Sequence, residues 1–495
     1  MPVLADLLQD AQIAARSLVD YVSGSGLRLG VTGLSRAGKT VFITALVHNL
    51  VRAANGARPN LPVLRVLAEG RLTRARLEPQ PDDAVPRFAY EDHLASLTGG
   101  AAGAEARAWP QSTRRISELR LTLEFERAVG GWRSGPASLT IDIVDYPGEW
   151  LLDLPLLAKT YTQWSQETLE ASAASARAPL AAAWRSHLAG LDPAACASEE
   201  EARRTAALFT GYLRAARSDA YALSTLPPGR FLMPGDLDGS PALTFAPLPV
   251  TAGAPPPGSL AAMMARRYEA YKTHVVRPFF RDHFARLDRQ IVLVDALSAL
   301  NSGPAALRDL ETAMADVLSA FRAGRNTVAS ALFRPRIDRI LFAAAKADHL
   351  HHTSHDRLEA ILRLLTARAI ARAEGVGATI DVIALAAVRA TREAAVKSGR
   401  ETLQAIVGTP LAGETIDGET FDGRSEAAIF PGELPADPRA ALCGDALATP
   451  AADALYRFAR FRPPIAKSAD DGASAPMPHI RLDRALEFLI GDKTR

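Results

Sequence analysis

The stretch "LRLGVTGLSRAGKT" (residues 27–40) joins an apolar, strand-like run to the pattern Gly-x-x-x-x-Gly-Lys-Thr. In such a loop the glycines let backbone N–H groups point at phosphate oxygens, the lysine adds a mobile positive charge and the hydroxyl ligates Mg²⁺. A helix-like run, "VFITALVHNLVRAA", follows at 41–54, and lysine is scarce in the chain, with 7 residues against 50 arginines. A phosphate-binding loop is therefore predicted, against the simpler alternative of a Gly-containing turn before a helix.

The loop supplies most of the predicted nucleotide contacts. Lys39 and the surrounding backbone would hold phosphates, and Thr40 would ligate Mg²⁺. Arg36 lies inside the loop, where its charge either stabilises the transferring phosphoryl group or remains solvated, and the two alternatives are balanced. The predicted contacts of the loop are Gly33, Ser35, Arg36, Ala37, Gly38, Lys39, Thr40 and Val41.

A second motif, "IDIVDYPGEW" (141–150), predicts the metal and γ-phosphate contacts. Asp145 ends an apolar strand, where it can reach the metal, and Gly148 can offer its N–H to a γ-phosphate, as in the Asp-x-x-Gly switch of regulatory GTPases. An ordinary strand-to-turn segment is the alternative. Glu149 stands where many GTPases have a glutamine that orients water. Because its charge would repel the γ-phosphate, its water-orienting role stays open.

The segment "SLTGGAAGAEARAWPQSTRR" (96–115) is predicted to contain a first switch with a further Mg²⁺ ligand. Thr113, with Ser112 as its competitor, is the hydroxyl expected to meet the metal when a γ-phosphate is present. The predicted metal ligands are thus Thr40, Thr113 and Asp145. The predicted catalytic groups are Arg36, Lys39, Thr113, Asp145, Gly148 and Glu149.

The stretch "AAAKADHL" (343–350) predicts the base that the nucleotide carries. In an Asn/Thr-Lys-x-Asp element the aspartate accepts hydrogen bonds from the guanine N1–H and amine, while the lysine stem covers the base. Here Ala345 replaces the first polar residue, and a Lys-x-Asp without a role is the alternative. Asp348 would repel the N1 acceptor of adenine, so GTP is favoured over ATP. The predicted base contacts are Lys346, Asp348, His349 and, through N–H groups near the guanine O6, Ala387 and Val388.

The order of strand-like and helix-like runs predicts an α/β fold. Two β-rich runs at 116–129 and 137–148 flank a Gly-rich turn and indicate an antiparallel hairpin. Apolar runs then alternate with helical patterns, which is typical of a mostly parallel sheet covered on both faces. The strand-like runs lie at 289–297, 336–348 and 378–388, and the helical patterns between them at 304–323 and 356–374.

The same patterns divide the chain into predicted units. Residues 1–24 form an amphipathic helix, 25–150 and 289–407 the core, 151–288 a mainly helical insert, and 408–495 a C-terminal extension that packs on the core. Within the insert, the Pro/Gly-rich stretch 226–258 is a partner-binding or mobile segment, with disorder as the default interpretation.

Composition narrows the functional class. The chain has 495 residues, a formal net charge of +2 and two cysteines, so nothing in the total balance suggests nucleic-acid binding or a disulfide framework. No apolar run reaches the ~18 residues of a membrane span, and the expected location is the cytoplasm. Peripheral membrane association through the N-terminal helix is the less favoured alternative, because Asp6, Asp10 and Asp20 outweigh Arg16.

The stretch "DHLHHTSHD" (348–356) carries four histidines, His349, His351, His352 and His355. Histidines at such spacings can share a metal ion. No carboxylate or cysteine nearby in the sequence completes a site, so a solvated loop after the base-reading strand is the favoured interpretation.

Several blocks together resemble the bacterial YcjX-like proteins, P-loop NTPases described as GTPases or ATPases and associated with stress responses. The resemblance extends from about residue 25 to the C-terminus and implies a Ras-like core, an inserted helical domain and GTP/GDP binding. The blocks are "VTGLSRAGKTVFITALVHNL", "WPQSTRRISELRL", "DYPGEWLLDLPLL", "DRQIVLVDALSALNSGP", "AAAKADHL" and "PHIRLDRALEFLIGD".

Motifs and resemblance together predict a Mg²⁺-dependent GTPase that acts as a nucleotide-controlled switch. The insert begins directly after "DYPGEW", so movement of that segment could pass into it and reach an unidentified protein partner through the insert or the switches. Two rivals remain. Ala345 weakens the guanine element, which keeps an ATPase open, and Glu149 keeps open a scaffold that binds nucleotide with little turnover.

Overall fold

The computed structural model describes most of the chain. The described ranges are 26–33, 36–56, 60–80, 82–128, 135–250, 253–319, 337–375, 377–398, 401–443, 456–466 and 475–495. The predicted N-terminal helix at 1–24 and the predicted contact Ser35 lie outside these residues.

Seven strands form the main sheet, in the spatial order β2-β3-β4-β1-β5-β6-β7. The strands β4-β1-β5-β6-β7 run parallel, whereas β2, β3 and β4 pair antiparallel with one another. The predicted hairpin and the mostly parallel sheet are confirmed, while the edge strand β2 was not predicted. The strands are β1 Gly26–Gly33, β2 Leu72–Glu78, β3 Ser117–Glu126, β4 Pro136–Asp145, β5 Arg289–Val294, β6 Arg339–Ala344 and β7 Thr379–Ala384.

The helices are α1 Lys39–Ala54, α2 Arg65–Ala68, α3 Tyr90–Thr98, α4 Tyr161–Ala173, α5 Ala178–Ala189, α6 Glu199–Arg217, α7 Gly229–Leu232, α8 Leu260–Tyr271, α9 Arg277–Asp282, α10 Ala296–Asn301, α11 Pro304–Ser319, α12 His355–Glu374 and α13 Leu482–Ile490. The predicted helices at 304–323 and 356–374 correspond to α11 and α12, with 320–323 outside the described residues. Local sequence signals explain where some helices begin. Before α4, for example, Thr160 and Gln163 form a capping box.

The sheet is covered on both faces because its central strands alternate their side chains between two apolar cores. Ile291 and Leu293 of β5 join one core with α1 and α13. Val292 and Val294 join the other with α11, α12 and the helices between β4 and β5. The helices of 151–288 therefore share a continuous core with one face of the sheet. The division of the chain into units stays a prediction.

The Pro/Gly-rich stretch is packed where the structure describes it, so the expectation of disorder is wrong for 226–250. Phe245 and Leu248 are fully buried, and Phe231 is 3% exposed. Aromatic rings explain this packing: Phe245 contacts Trp164 of α4 and Tyr268 of α8. Proline and glycine prevent regular structure here, but they do not prevent burial of the apolar residues between them.

The chain beyond β7 forms small β elements and returns to the sheet. The strands are β8 Arg392–Ser398, β9 Glu401–Gly408, β10 Thr415–Ile416, β11 Glu419–Thr420 and β12 Ala427–Ile429. The final helix α13 is held partly by Arg289 of β5, which is 1% exposed and donates to the carbonyl of Leu489 and to Asp492. None of the described helices is both long and apolar enough to cross a bilayer.

Candidate functional site

The carboxyl ends of five parallel strands meet at one edge of the sheet. β1 ends at Gly33, β4 at Asp145, β5 at Val294, β6 at Ala344 and β7 at Ala384. Ligands of open α/β sheets bind beyond this edge, where the connecting loops form a crevice. A cavity of about 280 Å³ lies there.

Most of the predicted site residues line this one cavity. They come from five separate parts of the sequence: Arg36, Ala37, Gly38, Lys39, Thr40, Val41, Thr113, Glu149, Lys346, Asp348, His349, Ala387 and Val388. Three predicted residues do not line the cavity: Gly33, Asp145 and Gly148. Gly33 ends β1, Asp145 ends β4, and Gly148 directly precedes the lining residue Glu149. The roles predicted for these residues stay predictions.

The loop between β1 and α1 has the backbone conformation that an anion site requires. Gly38 has φ 84° and caps α1, and its positive φ suits glycine. A Cβ on Gly33 would stand 2.7 Å from the carbonyl oxygen of Leu293, so glycine is needed there for close packing. Helix α1 begins at Lys39 without a side-chain cap and without an acidic residue in its first turn. Its first N–H groups are therefore available to an anion.

Lys39 places a largely buried positive charge at this helix start. The residue is 8% exposed, and within the described residues its ammonium makes one long hydrogen bond of 3.4 Å, to the carbonyl of Gly33. A buried ammonium with so little compensation carries a desolvation penalty. Binding of an anionic group in the cavity would offset that penalty.

A chain of oxygen ligands begins beside Lys39. The hydroxyls of Thr40 and Thr113 are 3.2 Å apart, and the Thr113 hydroxyl donates to Asp145 Oδ2 at 2.5 Å. The second carboxylate oxygen, Oδ1, is buried and has no hydrogen-bond partner among the described residues. Two hydroxyls and an unsatisfied carboxylate are the oxygen donors that Mg²⁺ prefers, so these residues fit a Mg²⁺ ion.

Burial raises the pKa of Asp145 from 3.8 to about 6, although the charge of Lys39 and the Thr113 hydrogen bond oppose the shift. A carboxyl whose pKa is higher in the folded than in the unfolded chain loses stabilising free energy as the pH rises between the two values. Above about pH 6 the charged, desolvated carboxylate therefore opposes folding until a cation neutralises it.

Asp145→Asn is expected to stabilise the ligand-free chain at about pH 8, because it removes this buried charge. The shift of about two pKa units corresponds to at most about 3 kcal/mol in the free energy of unfolding. Urea unfolding of variant and wild type at about pH 8 and about pH 4.5 measures the difference, which should shrink at the lower pH. Equal stabilisation at both pH values would contradict a charge effect.

Glu149 lines the cavity beside two arginines. The residue is 4% exposed and pairs with Arg217 at the end of α6. Arg36 pairs with Asp219, and both of these side chains are more than half exposed. Two cationic side chains thus stand near the acidic residue that follows Gly148, and the repulsion expected between Glu149 and a γ-phosphate is reduced.

The segment after Gly148 is joined tightly to the helices between β4 and β5. Residues Gly148–Ala158 form a 3-10 segment that is buried along most of its length. Asp153 accepts hydrogen bonds from the N–H of Gly229 and the hydroxyl of Tyr271, both at 2.7 Å. A Cβ on Gly229 would stand 1.7 Å from the carbonyl oxygen of Glu149. The two backbones are therefore in direct contact.

The far end of the cavity contains the predicted base contacts. Lys346 has φ 61° and donates to Asp295 Oδ2 at 2.5 Å, which fixes its side chain across the end of β5. Asp348 is 4% exposed, and its Oδ2 accepts the N–H of Ala390 at 2.8 Å. Thr391 donates its hydroxyl to the carbonyl of Asp348. The loops after β6 and β7 are thus bonded to each other around Asp348.

The remaining base contacts lie on the same side. Among the described residues, the N–H groups of Ala387 and Val388 have no hydrogen-bond acceptor, whereas the flanking Ala386 and Arg389 donate to Ile480 and Pro478. Burial lowers the pKa of His349, whose ring makes an edge contact with Phe461. Two free donors at the end of β7 match an acceptor oxygen such as the guanine O6.

Nine further cavity residues were not predicted: Phe42, Leu293, Leu385 and Ala386 lie in or beside α1, β5 and β7, and five others lie in two more distant segments. Trp109 and Pro110 lie in the predicted switch segment 96–115, ahead of Thr113, and Leu411, Arg460 and Phe461 come from the C-terminal region. Trp109 Nε1 donates to the carbonyl of Phe461 at 2.6 Å. The contact joins residues 352 positions apart, and no local pattern points to it. A side of the cavity near His349 is therefore formed by the C-terminal region.

Comparisons with known proteins match almost the whole chain to one family, and they confirm the resemblance seen in the sequence. A family model described as YcjX-like family, DUF463, matches residues 27–494. A protein of Escherichia coli (strain K12) named Ras-like GTPase YcjX is 40% identical over 478 residues, which cover 95% of this chain and 96% of that relative. The Ras-like GTPase YcjX of Shewanella oneidensis (strain MR-1) is 35% identical over 499 residues, or 97% of each chain. The chain belongs to the YcjX-like family.

Proposed function

We propose that the chain binds GTP with Mg²⁺ on a Ras-like P-loop core, hydrolyses it to GDP and phosphate, and changes conformation with the bound nucleotide. The observation that carries the proposal is one cavity with the uncapped start of α1 and Lys39 at one end and Asp348 at the other. The names of the two relatives, both called Ras-like GTPases, support the same activity.

The phosphates are proposed to lie against the loop before α1. The backbone N–H groups of residues 36–40 and the helix dipole would face their negative charge, and Lys39 would contact the β- and γ-phosphates. Lys39 is already 8% exposed before any anion is present. Most of the desolvation of Lys39 therefore precedes binding, and little further solvation of the ammonium would be lost when a phosphate makes the ionic contact.

Thr40, Thr113 and Asp145 are proposed to hold Mg²⁺, directly or through water. The Thr113 hydroxyl is bonded to Asp145 in the described structure, so the metal would take over this contact. Mg²⁺ bound here would neutralise the Asp145 carboxylate and the phosphate oxygens together, and this is the chemistry that it supplies to phosphoryl transfer.

The base is proposed to be guanine. The carboxylate of Asp348 accepts from N1–H and the exocyclic amine, the Lys346 stem covers one face, and Ala387 and Val388 offer N–H groups to O6. Ala345 lacks the side chain that usually ties this element to the phosphate loop. Lys346 bonds to Asp295 instead, which gives the element an anchor at the end of β5.

Hydrolysis requires a positioned water and a stabilised phosphoryl group. Glu149, paired with Arg217, is proposed to accept a hydrogen bond from the attacking water. Arg36 is proposed to contact the transferring group after releasing the exposed Asp219, because an exposed ion pair contributes little free energy to oppose the change. The contacts of the segment Gly148–Ala158 with Gly229 and Tyr271 would carry the resulting movement into the neighbouring helices.

Single-turnover hydrolysis of GTP with Mg²⁺, followed by phosphate release, tests the proposal. GTP should be consumed by the wild type, more slowly without Mg²⁺, while ATP at the same concentration is not. Preferential ATP turnover would favour the ATPase alternative. Binding of GTP without turnover would favour the scaffold alternative. A link to stress and a protein partner stay predictions of the sequence.

A further inference from the structure

The turn between β6 and α12 brings two imidazoles to a carboxylate from a distant strand. His351 and His352 belong to the turn, and Glu393 belongs to β8. One ligand atom from each residue lies within 4.8 Å of the other two. The sequence pattern showed the histidines without a carboxylate that completes a site, and the fold supplies Glu393 from 41 positions beyond His352.

The Glu393 carboxylate is oriented toward both rings. Its Oε2 is 2.7 Å from His352 Nδ1 and 3.7 Å from His351 Nε2, while its Oε1 accepts from the guanidinium of Arg389 at 3.2 Å. One oxygen is thus held by Arg389 and the other faces the two imidazoles. This arrangement is common around metal ligands, where the outer partner fixes the orientation of the carboxylate.

The surroundings of His351 leave its Nε2 free to act as a ligand. Nδ1 is 3.0 Å from the hydroxyl of Thr353, a shorter contact than the 3.4 Å to the Thr353 N–H. Nδ1 accepts the Thr353 N–H, and for Nε2 to serve as a ligand the ring proton would move to Nδ1, where the Thr353 hydroxyl can accept it. At 3.7 Å, Nε2 and Glu393 are too far apart for a hydrogen bond to account for the arrangement.

We propose that His351, His352 and Glu393 bind a Zn²⁺-like transition-metal ion, separate from the nucleotide's Mg²⁺, with a water in the fourth position. Two imidazoles and a carboxylate suit Zn²⁺, whereas Mg²⁺ prefers oxygen ligands. The separation of the ligand atoms needs only small side-chain movements to reach tetrahedral geometry, and the exposed ring of His352, 63% accessible, can make them.

The bound metal would join the turn after β6 to β8, close to the contacts that hold Asp348. Asp348 lies three residues before His351 and bonds to Ala390 and Thr391, which immediately precede β8. A metal at this point closes a second link between the same two segments. If the proposed function is correct, the metal braces the base-binding carboxylate and slows GDP release.

Zn²⁺ titration of the full-length, nucleotide-free protein in competition with a chromophoric chelator tests the site. The wild type should bind one Zn²⁺ that His352→Ala and Glu393→Gln each weaken by at least about tenfold, the size of effect produced even by changing a residue that only hydrogen-bonds to a metal ligand. His274→Ala, which removes another exposed histidine, is the matched control and should bind as the wild type does. Because His352 is largely exposed, its substitution leaves folding intact, and circular dichroism verifies this.

Equal Zn²⁺ affinity in the wild type, His352→Ala and Glu393→Gln would overturn the site. This readout contains no nucleotide, so it is independent of the GTPase proposal. The link to Asp348 is measured separately, as the dissociation rate of a fluorescent GDP analogue with and without Zn²⁺. Zn²⁺ should slow release from the wild type but not from His352→Ala, and an unchanged wild-type rate would overturn the bracing role.

Discussion

Lys39→Ala is expected to reduce the affinity for GDP and GTP by at least about 100-fold, because the phosphates lose their main cationic contact. A hydrogen bond to a charged group contributes about 1.5–3 kcal/mol, and Lys39 can reach oxygens of two phosphates. The ammonium is nearly buried, so solvent screens the lost attraction only weakly. Fluorescence titration with a guanine-nucleotide analogue measures the change, and hydrolysis should fall with binding.

Lys493→Ala is the matched control, since it removes an exposed lysine near the C-terminus that does not line the cavity. It should bind nucleotide as the wild type does. The ligand-free Lys39→Ala variant should remain folded, because the substitution removes a poorly compensated buried charge rather than a packed apolar group. An affinity within about threefold of the wild type would place the phosphates elsewhere.

Asp348→Asn is expected to remove the preference for guanine. The wild-type carboxylate can accept from both N1–H and the exocyclic amine, whereas the asparagine amide accepts at one atom and presents a donor at the other. An unpaired polar contact in a buried site costs about 1–3 kcal/mol, and the charge-assisted character of the other bond is lost as well. GDP affinity should therefore fall about 100-fold, and affinity for xanthosine diphosphate, which has an acceptor oxygen at C2, should rise.

Competition of GDP, XDP and ADP for one fluorescent nucleotide measures this exchange. Asp356→Asn is the control, because its side chain is 89% exposed and lies eight positions further along. The variant amide can still accept the Ala390 N–H through its oxygen, so the two loops should remain bonded. The guanine assignment would be wrong if ADP competed as well as GDP against the wild type, or if Asp348→Asn left the order of affinities unchanged.

Much of the fold follows from short-range patterns. The run from Gly26 to Ala54 combines a strand, a glycine-containing turn and an amphipathic helix within thirty residues, and each signal is local. The strand β2, "LTRARLE", lacks this clarity. It carries two arginines and a glutamate, and as an edge strand it buries only Ala75 fully. Its formation as a strand depends on pairing with β3, and the paired residues are more than forty positions apart in the sequence.

The candidate site was likewise predictable where local sequence patterns determine it. The phosphate loop, Asp145 and Lys346 follow strand ends, so their convergence follows from the parallel order of the strands. Phe461 reaches the cavity, and Glu393 reaches His352, through contacts that span long stretches of chain. The packing of 226–250 likewise depends on rings from α4 and α8. Such long-range contacts produce no periodic pattern in the sequence from which they could be predicted.

The contact between Gly229 and Glu149 would give the proposed nucleotide-dependent movement a direct route into the neighbouring helices. The missing side chain lets two backbones touch, and the nearby Asp153 bonds are fully buried. Ionic strength screens exposed charge pairs such as Arg36–Asp219, but it acts weakly on steric contact and on bonds shielded from solvent. If the proposed switch operates, this contact would transmit movement sterically, and we expect the coupling to be nearly independent of salt concentration.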